Sequence, residues 1–271
     1  MLTIQNYVRA QSLEQAYELN QKKSSRIIGG MMWLKMQNNT ANTAIDLCDL
    51  GLDTIEETED AFSIGAMVTL RALEQHPGLS AYTQGAVKRA MESIVGVQFR
   101  NMATVGGSIF GRFGFSDVLT VFLAMDTEVE MFHAGRIPLE QFAEMPQDRD
   151  ILVRLIVKKK PGRFVYQSMR NTRTDLPTLT CAASVMDGEH RVVLGARPMR
   201  AMVLRDEEGL LREGLSLTSA HTFTVWAAEH TPTDSNVRGS AAYRTRLARV
   251  LTERAILELG GLEQGEMEDG N

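Results

Sequence analysis

Apolar and polar positions along this chain follow two rhythms, and the change from one to the other marks out its elements. In LEQAYELNQKK, residues 13–23, the apolar positions return at helical spacing, and SRIIGG at 25–30 reads as a short apolar strand running into paired glycines. TAIDLCDL at 43–50 has the alternation of a strand. A further strand, AFSIGAMV at 61–68, follows the acidic connector EETED, which places a domain junction near residue 55. Thr69 is suited to cap a helix beginning at Leu70, and GLSAYTQGAVKRAMESI at 78–94 predicts a longer amphipathic helix.

Both rhythms then stop. Glycines at 96, 106, 107, 111 and 114 predict more than twenty residues without regular structure, and a loop of that length inside a compact domain usually has a function. Ser116 or Asp117 opens a buried helix, VLTVFLAM, and TEVEMF at 127–132 returns as a strand. Strands recur at ILVRLIV, RFVYQSM and TLTCAASVM. The last third predicts helices at 206–214, at about 217–229 and through AAYRTRLARVLTERAILELG, followed by an acidic tail, and no internal repeat is present.

At 271 residues the chain is long enough for two or three packed units and for burial of a large cofactor. Its 29 Lys and Arg against 34 Asp and Glu give a net charge of −5, and the basic residues are scattered, which argues against nucleic acid as a partner. No apolar run approaches the roughly 20 residues that span a bilayer, and the N-terminal segment lacks the basic-then-apolar order of a secretory signal. A cytoplasmic location without membrane attachment is expected. Cys48 and Cys181 have no CxxC or Cys/His spacing, so neither a zinc site nor a self-contained iron–sulfur cluster is expected, and any such cluster must belong to a partner. A disulfide between them is open, although buried free thiols are the simpler state in the cytosol.

Two glycine pairs, Gly29-Gly30 and Gly106-Gly107, are candidate anion sites, because glycine lets backbone N–H groups converge without a Cβ in the way. Tight turns are the simpler reading of either pair alone. Neither fits GxGxxG or GxxxxGK[ST], so a Rossmann site or a kinase-type phosphate loop is unsupported.

Read with its surroundings, RNMATVGGSIFGRFGFSDVLTVFLAMDTEVEM resembles the RN-x-x-T-[IV]-GG-N-[IL] … SD … LDAEV segment of the molybdenum hydroxylase flavoproteins. These include the xanthine dehydrogenase flavin domain and the carbon monoxide dehydrogenase medium subunit. The matching residues are Arg100, Asn101, Thr104, Val105, Gly106, Gly107, Ile109, Ser116, Asp117, Leu123, Ala124, Asp126, Glu128 and Val129. In the same order, IIGGMMWLKM stands where the family has its AGGTDLL-type pyrophosphate loop. AFSIGAMVTL takes the place of its IGA strand, and VRGSAAYRTRLARVL that of its RGSAEYR helix, so the resemblance spans roughly residues 1–260.

The resemblance implies an α+β fold: a two-subdomain FAD-binding unit of the vanillyl-alcohol-oxidase type, then a C-terminal domain of a small antiparallel sheet with helices. The implied boundaries are 1–55 and 56–160 for the subdomains, 161–262 for the C-terminal domain and 263–271 for the tail. It further implies that Ile28, Gly29, Gly30, Met31, Met32, Trp33 and Leu34, with Thr104, Gly106, Gly107 and Ser108, cradle the FAD pyrophosphate through backbone N–H groups. Asp117 would accept hydrogen bonds from cofactor hydroxyls, and Ile151 or Leu152 would lie near the flavin ring. Ile94 stands where some members stack an aromatic residue, and Gln167 or Ser168 where eukaryotic members place a lysine. Met31-Met32 replaces polar residues of the family's first loop, leaving backbone donors to suffice, and Ser108 replaces an asparagine.

Trp33 could lie against a flavin face, although a tryptophan beside methionines is more often core. Arg170 and Arg173 fall in a segment the family uses near the flavin, with solvated loop charge as the simpler reading. The five histidines show no paired spacing, and no catalytic acid, base, nucleophile or metal ligand is expected.

The implied role is electron transfer. A molybdopterin-binding large subunit oxidises a purine or similar heterocycle, a small subunit with 2Fe-2S clusters relays electrons, and FAD in this chain passes them to NAD+ or another acceptor. Such assemblies pair three-subunit protomers. The alternatives are a free-standing FAD oxidoreductase of the vanillyl-alcohol-oxidase class and a scaffold subunit that has lost its flavin.

Overall fold

The computed structural model describes residues 2–262, so the tail expected at 263–271 lies outside the described residues. The N-terminal segment forms β1 (Thr3–Arg9), α1 (Leu13–Asn20), β2 (Ser25–Ile28) and β3 (Thr40–Asp46). These strands make a parallel three-stranded sheet in the order β1-β3-β2. The hydroxyl of Ser12 accepts from the Gln15 N–H at 3.2 Å and starts α1. The apolar face of α1 closes a small core of Ala16, Ile45 and Leu47, which also takes in Ile151 and Val153 from the next unit.

The second unit is an antiparallel five-stranded sheet with helices against it. Its strands are β4 (Ile55–Glu57), β5 (Ala61–Gly65), β6 (Thr127–Met131), β7 (Gly135–Pro138) and β8 (Leu152–Lys158), in the order β4-β5-β8-β6-β7. Between β5 and β6 run α2 (Leu70–Gln75), α3 (Pro77–Tyr82), α4 (Ala86–Glu92), α5 (Val97–Arg100), α6 (Val105–Phe110) and α7 (Asp117–Leu123), and α8 (Leu139–Glu144) follows β7. Every side chain of α7 is buried, which is why its sequence is apolar all round apart from Asp117 and Thr120. Phe62, Phe122 and Phe142 are completely enclosed here, each contributing about 2 kcal/mol through burial.

The C-terminal unit is a four-stranded antiparallel sheet of β9 (Gly162–Met169), β10 (Leu179–Met186), β11 (Glu189–Gly195) and β12 (Met202–Arg205), in the order β12-β11-β10-β9. Helices α9 (Leu217–Glu229) and α10 (Ala241–Gly260) pack on one face of it, and α7 packs on the other. Strand β10 is therefore buried on both sides, with Cys181 facing the helical side as a free thiol pushed up to about 12 by burial. Cys48 is a free thiol too, but it is exposed rather than buried. The architecture is α+β: two sheet-and-helix units followed by an antiparallel sheet with helices.

Three elements differ from the expectation. The helix expected over 78–94 is two helices, α3 and α4, because Gln84 and Gly85 adopt left-handed conformations at φ 47° and 82° between them. No helix forms over 206–214. There the Asp206 carboxylate accepts from the Leu210 and Leu211 N–H groups, both at 2.7 Å, and Gly209 and Gly214 take positive φ. The glycine-rich stretch after residue 96 is not irregular throughout, since it contains α5 and α6.

Candidate functional site

The three units enclose a cleft of about 920 Å³ to which each contributes a wall. The first supplies residues 25–34, the second Ile94, Val95, Ala103–Gly111, Phe113 and Phe115–Val118 in part, and the third Arg170, the 174–176 segment and Arg238. Fifteen of the residues singled out from sequence line it: Ile28, Gly29, Gly30, Met31, Met32, Trp33, Leu34, Ile94, Thr104, Gly106, Gly107, Ser108, Asp117, Ile151 and Leu152. They come from five separate stretches of chain.

The first loop leaves β2 and turns sharply. Gly29 lies against Thr104, where a Cβ would come within 2.7 Å of the Thr104 Oγ1. Gly30 lies against the next stretch of backbone, where a Cβ would stand only 1.6 Å from the Met102 carbonyl oxygen. Met31 follows at φ 57°, a left-handed conformation that costs a side chain about 1 kcal/mol. A single 3-10 turn at Leu34–Met36 ends the loop. Among the described residues, no backbone N–H of residues 30–34 donates a hydrogen bond within the chain, whereas the Met31 and Trp33 carbonyls accept from Lys35 and Met36. A run of unpaired N–H groups on a partly left-handed turn is an anion-binding concavity.

The second loop lines the same cleft with its donors already engaged. The N–H groups of Val105 and Gly106 donate to the carbonyls of Val68 and Ala66 at 2.9 and 2.7 Å. Those of Gly107 and Ser108 donate to the Thr104 Oγ1 and carbonyl at 3.2 and 3.1 Å. Thr104 is thus the cap of α6, and of the stretch 104–108 from which phosphate donors were expected, the N–H groups of residues 105–108 are used inside the chain. Gly106 lacks a side chain because the Ala66 carbonyl approaches, 2.7 Å from where a Cβ would sit.

Asp117 is the first residue of α7 rather than its cap, since the Ser116 Oγ accepts from the Leu119 N–H at 3.1 Å. Its Oδ1 accepts from both the Tyr166 hydroxyl and the Arg170 guanidinium, and the side chains of Asp117 and Arg170 are each only 6% exposed. Burial pushes the Asp117 carboxyl up from its ordinary value, against the pull of Arg170 and Tyr166. Tyr166 is raised well above the ordinary tyrosine range by burial and by the adjoining carboxylate, so it remains a hydrogen-bond donor. Both of these side-chain hydrogen bonds fall on Oδ1 of Asp117.

Gln167 is not brought to the cleft. Successive side chains of a strand alternate between faces, so Tyr166 points to α7 while Gln167 faces α10 and donates to the Glu258 carboxylate at 3.0 Å. The structure instead adds Tyr166 through Asp117, and Phe110, Phe113 and Phe115 as apolar lining, and Arg170 lines the cleft as a buried partner of Asp117 rather than as solvated loop charge. Alternation in RFVYQSM was the signal for Tyr166. Of the other motif residues, Arg100 is structural: it pairs with Glu74 at 2.7 Å and donates to the Ile94 carbonyl at 3.1 Å, fixing the turn that presents Ile94. Arg244 is completely buried and donates to the Thr178 and Asp234 carbonyls. Arg173 does not line the cleft. Among the described residues no group of three or more His, Cys, Asp or Glu side chains gathers as a metal site, and no helix is long and apolar enough to cross a membrane.

Backbone N–H groups without partners, a buried carboxylate and an apolar lining thus lie along one cleft, the setting of a cofactor-binding subunit. Residues 2–159 match the FAD-binding domain in molybdopterin dehydrogenase, and residues 164–259 match the C-terminal domain of the CO dehydrogenase flavoprotein. The chain belongs to this family of FAD-binding subunits of molybdenum hydroxylases, and FAD is the cofactor of its FAD-binding domain. It is 27% identical to the uncharacterized protein YgfM of Escherichia coli strain K12, covering 92% of this chain and 93% of YgfM. It is 25% identical to the putative xanthine dehydrogenase FAD-binding subunit XdhB of the same organism, over 99% and 100% of the two chains. A chain of the reconstituted CO dehydrogenase from Oligotropha carboxidovorans has the same fold, with a TM-score of 0.84, 22% identity and coverage of 96% and 99%.

Proposed function

We propose that this chain is the FAD-carrying electron-transfer subunit of a cytoplasmic, xanthine dehydrogenase-like molybdenum hydroxylase. The observation that carries this is the run of unpaired N–H groups at residues 30–34, in a loop that lines a cleft together with the family's motif residues. Residues 28–34 would hold the FAD pyrophosphate, with Met31 and Met32 contributing backbone rather than side-chain contacts. The Asp117 carboxylate would accept from a sugar hydroxyl, while Ile94, Thr104, Gly106, Gly107, Ser108, Ile151 and Leu152 shape the walls. Residues 1–55 and 56–160 would form the two flavin subdomains, and 161–262 the C-terminal domain.

When bound, FAD supplies a centre that exchanges electrons singly or in pairs. The chain's own residues position and shield. Arg170 and Tyr166 hold Asp117 in place, the buried start of β8 is locked by the Asp150 carboxylate, which accepts from His133, Ala134 and Ile151 N–H groups at 2.8 to 3.2 Å, and no side chain is needed to move a proton. In this reading a large molybdopterin subunit and a small 2Fe-2S subunit deliver electrons, and NAD+ or another acceptor receives them. The family relationship and the full-length match to a xanthine dehydrogenase FAD-binding subunit support purine oxidation as the activity of the assembly.

Heat release and chromatography of the purified chain test the reading: about one FAD per chain, with no FMN, is expected. Absence of flavin together with no uptake of added FAD would sink it in favour of a scaffold subunit. FAD without copurifying molybdopterin and iron–sulfur subunits would point to a free-standing oxidoreductase.

A further inference from the structure

The edges of the three sheets are guarded, with one exception. In the five-stranded sheet the edge strands β4 and β7 are only three and four residues long, and β7 ends at Pro138, which has no N–H to offer. In the four-stranded sheet β12 has four residues, and along β9 the Phe164 N–H donates to the Gln84 side chain at 3.0 Å. The β2 edge of the three-stranded sheet lines the cleft. The other edge of that sheet, β1, runs for seven residues, of which all but Val8 are exposed, and among the described residues nothing pairs with its outer side.

Strand β1 carries none of the devices that blunt an edge: it has no proline, no lysine and no register shift along β3. Its single charge, Arg9, stands at the end of the strand and pairs with Asp49. Ile4 and Tyr7 are 36% and 56% exposed. The Thr3 N–H donates to the Asn39 carbonyl at 3.0 Å, and alternate residues of a ladder turn to the same neighbour, so Ile4, Asn6 and Val8 turn their N–H and C=O groups to the open side.

The order of residues in TIQNYVR decides what fits there. Reversed against itself about Asn6, the strand sets Ile4 opposite Val8, Gln5 opposite Tyr7, Thr3 opposite Arg9 and Asn6 opposite its own copy. Apolar meets apolar, polar meets polar, and no like charges face each other. The outward-turned residues then fall at the positions where an antiparallel pair exchanges both N–H···O bonds. Moving the register by two residues in either direction would set Ile4 or Val8 against Asn6, so the match selects one alignment.

We infer that this chain associates with a second copy of itself by antiparallel pairing of β1 with β1, which joins the two N-terminal sheets into one. The contact is isologous, as a two-fold axis through Asn6 requires. Each cleft adjoins a β2 edge, at the far side of its own sheet, so both clefts stay open and the association does not depend on what they hold. Pairing of one strand buries less than a standard interface, and monomer and dimer are expected to exchange with a dissociation constant of about 100 μM.

Sedimentation of the purified full-length chain between roughly 1 and 500 μM tests this, for the wild type, Asn6→Pro and Ile4→Lys. Asn6→Pro removes an outward donor and spares the donors that β1 gives to β3, while Ile4→Lys keeps the backbone and the Asn6 side-chain bond to the Asn42 carbonyl and places a charge on the edge. The wild type is expected to pass from one to two chains per particle, and both variants to associate at least about tenfold more weakly with unchanged circular dichroism. Should Asn6→Pro fail to fold, Ile4→Lys carries the measurement. A wild type that stays monomeric across the range, or variants that dimerise like it, overturns the inference. So does a monomeric wild type whose copurifying subunits are lost on Ile4→Lys, since the edge would then take a strand of a different chain.

Discussion

The two glycine pairs look alike in sequence and line one cleft, yet they work in opposite ways. At Gly29-Gly30 the backbone is pressed onto the Met102 carbonyl, and the N–H groups that follow, at residues 30–34, are left without partners. At Gly106-Gly107 the backbone is pressed onto Ala66, and the N–H groups of residues 105–108 are taken up by Val68, Ala66 and Thr104. Close approach is what both pairs share, and it is all that glycine by itself guarantees. Whether a glycine loop binds an anion depends on where its donors go. In the proposed reading the first loop meets the ligand, and the second is the support against which it is set, through the contact of Gly29 with Thr104.

Substitution at the two pairs should separate these roles. Gly30→Ala places a methyl group into the Met102 carbonyl, which only a shift of the loop can relieve, and the expected loss of FAD affinity is about 3 kcal/mol, or roughly 100-fold. Isothermal titration of the flavin-stripped chain measures it, and unchanged affinity would break the contrast.

Asp117→Asn should come next. It keeps the shape but replaces a carboxylate that holds Arg170 and Tyr166 and, in the proposed reading, accepts from the ligand. The expected cost to FAD binding is about 2 kcal/mol, roughly 30-fold. Gly106→Ala should act mainly on stability: its Cβ would meet the Ala66 carbonyl at 2.7 Å and the Ala66 Cβ at 2.9 Å. An overpacking cost of about 1–2 kcal/mol corresponds to a fall in Tm of roughly 3–6 °C for the flavin-free chain, with a smaller change in FAD affinity than Gly30→Ala. If Gly106→Ala instead weakened FAD as strongly as Gly30→Ala, the second loop would have to be a direct ligand contact.

Much of this arrangement is visible in the sequence, and what is hidden has a common cause. Thr69, Ser116 and Ser240 start their helices as capping residues should, and the apolar strings of β8, β9 and β10 form strands because burial follows their pattern. Strand β1 escapes the pattern because its side chains are mostly exposed and it is held by backbone pairing to β3. The break between α3 and α4 falls at Gln84, a residue with no local signature of a left-handed turn. In the cleft, residue identity is legible, but the fate of each donor is not. That the Gly106 N–H meets Ala66 depends on a strand end forty residues earlier, and a shift of one residue in β9 decides that Tyr166, not Gln167, reaches Asp117.

The Arg100–Glu74 pair gives the smallest expected effect on FAD and the sharpest control. Neither side chain lines the cleft, although Arg100 stands in the same motif as Gly106 and Gly107. The Glu74 carboxyl lies below its ordinary value of 4.5: burial acts to raise it, and the hydrogen bonds from Arg100 and Arg71 outweigh that. A depressed folded-state value means that the unfolded chain binds the proton more readily, so the pair stabilises the fold above the unfolded value, and this contribution disappears as pH falls through the folded one. Glu74→Gln should therefore lower the Tm at neutral pH, with the difference from wild type shrinking as pH drops below about 4.5 and the wild-type carboxyl takes up its proton. FAD affinity at neutral pH should stay within about twofold. Thermal scans across that pH range, paired with one titration at neutral pH, check both halves. A Tm difference that persisted at low pH would mean that Glu74 acts through packing rather than charge, and a large loss of FAD affinity would mean that the support of Ile94 by Arg100 reaches the ligand.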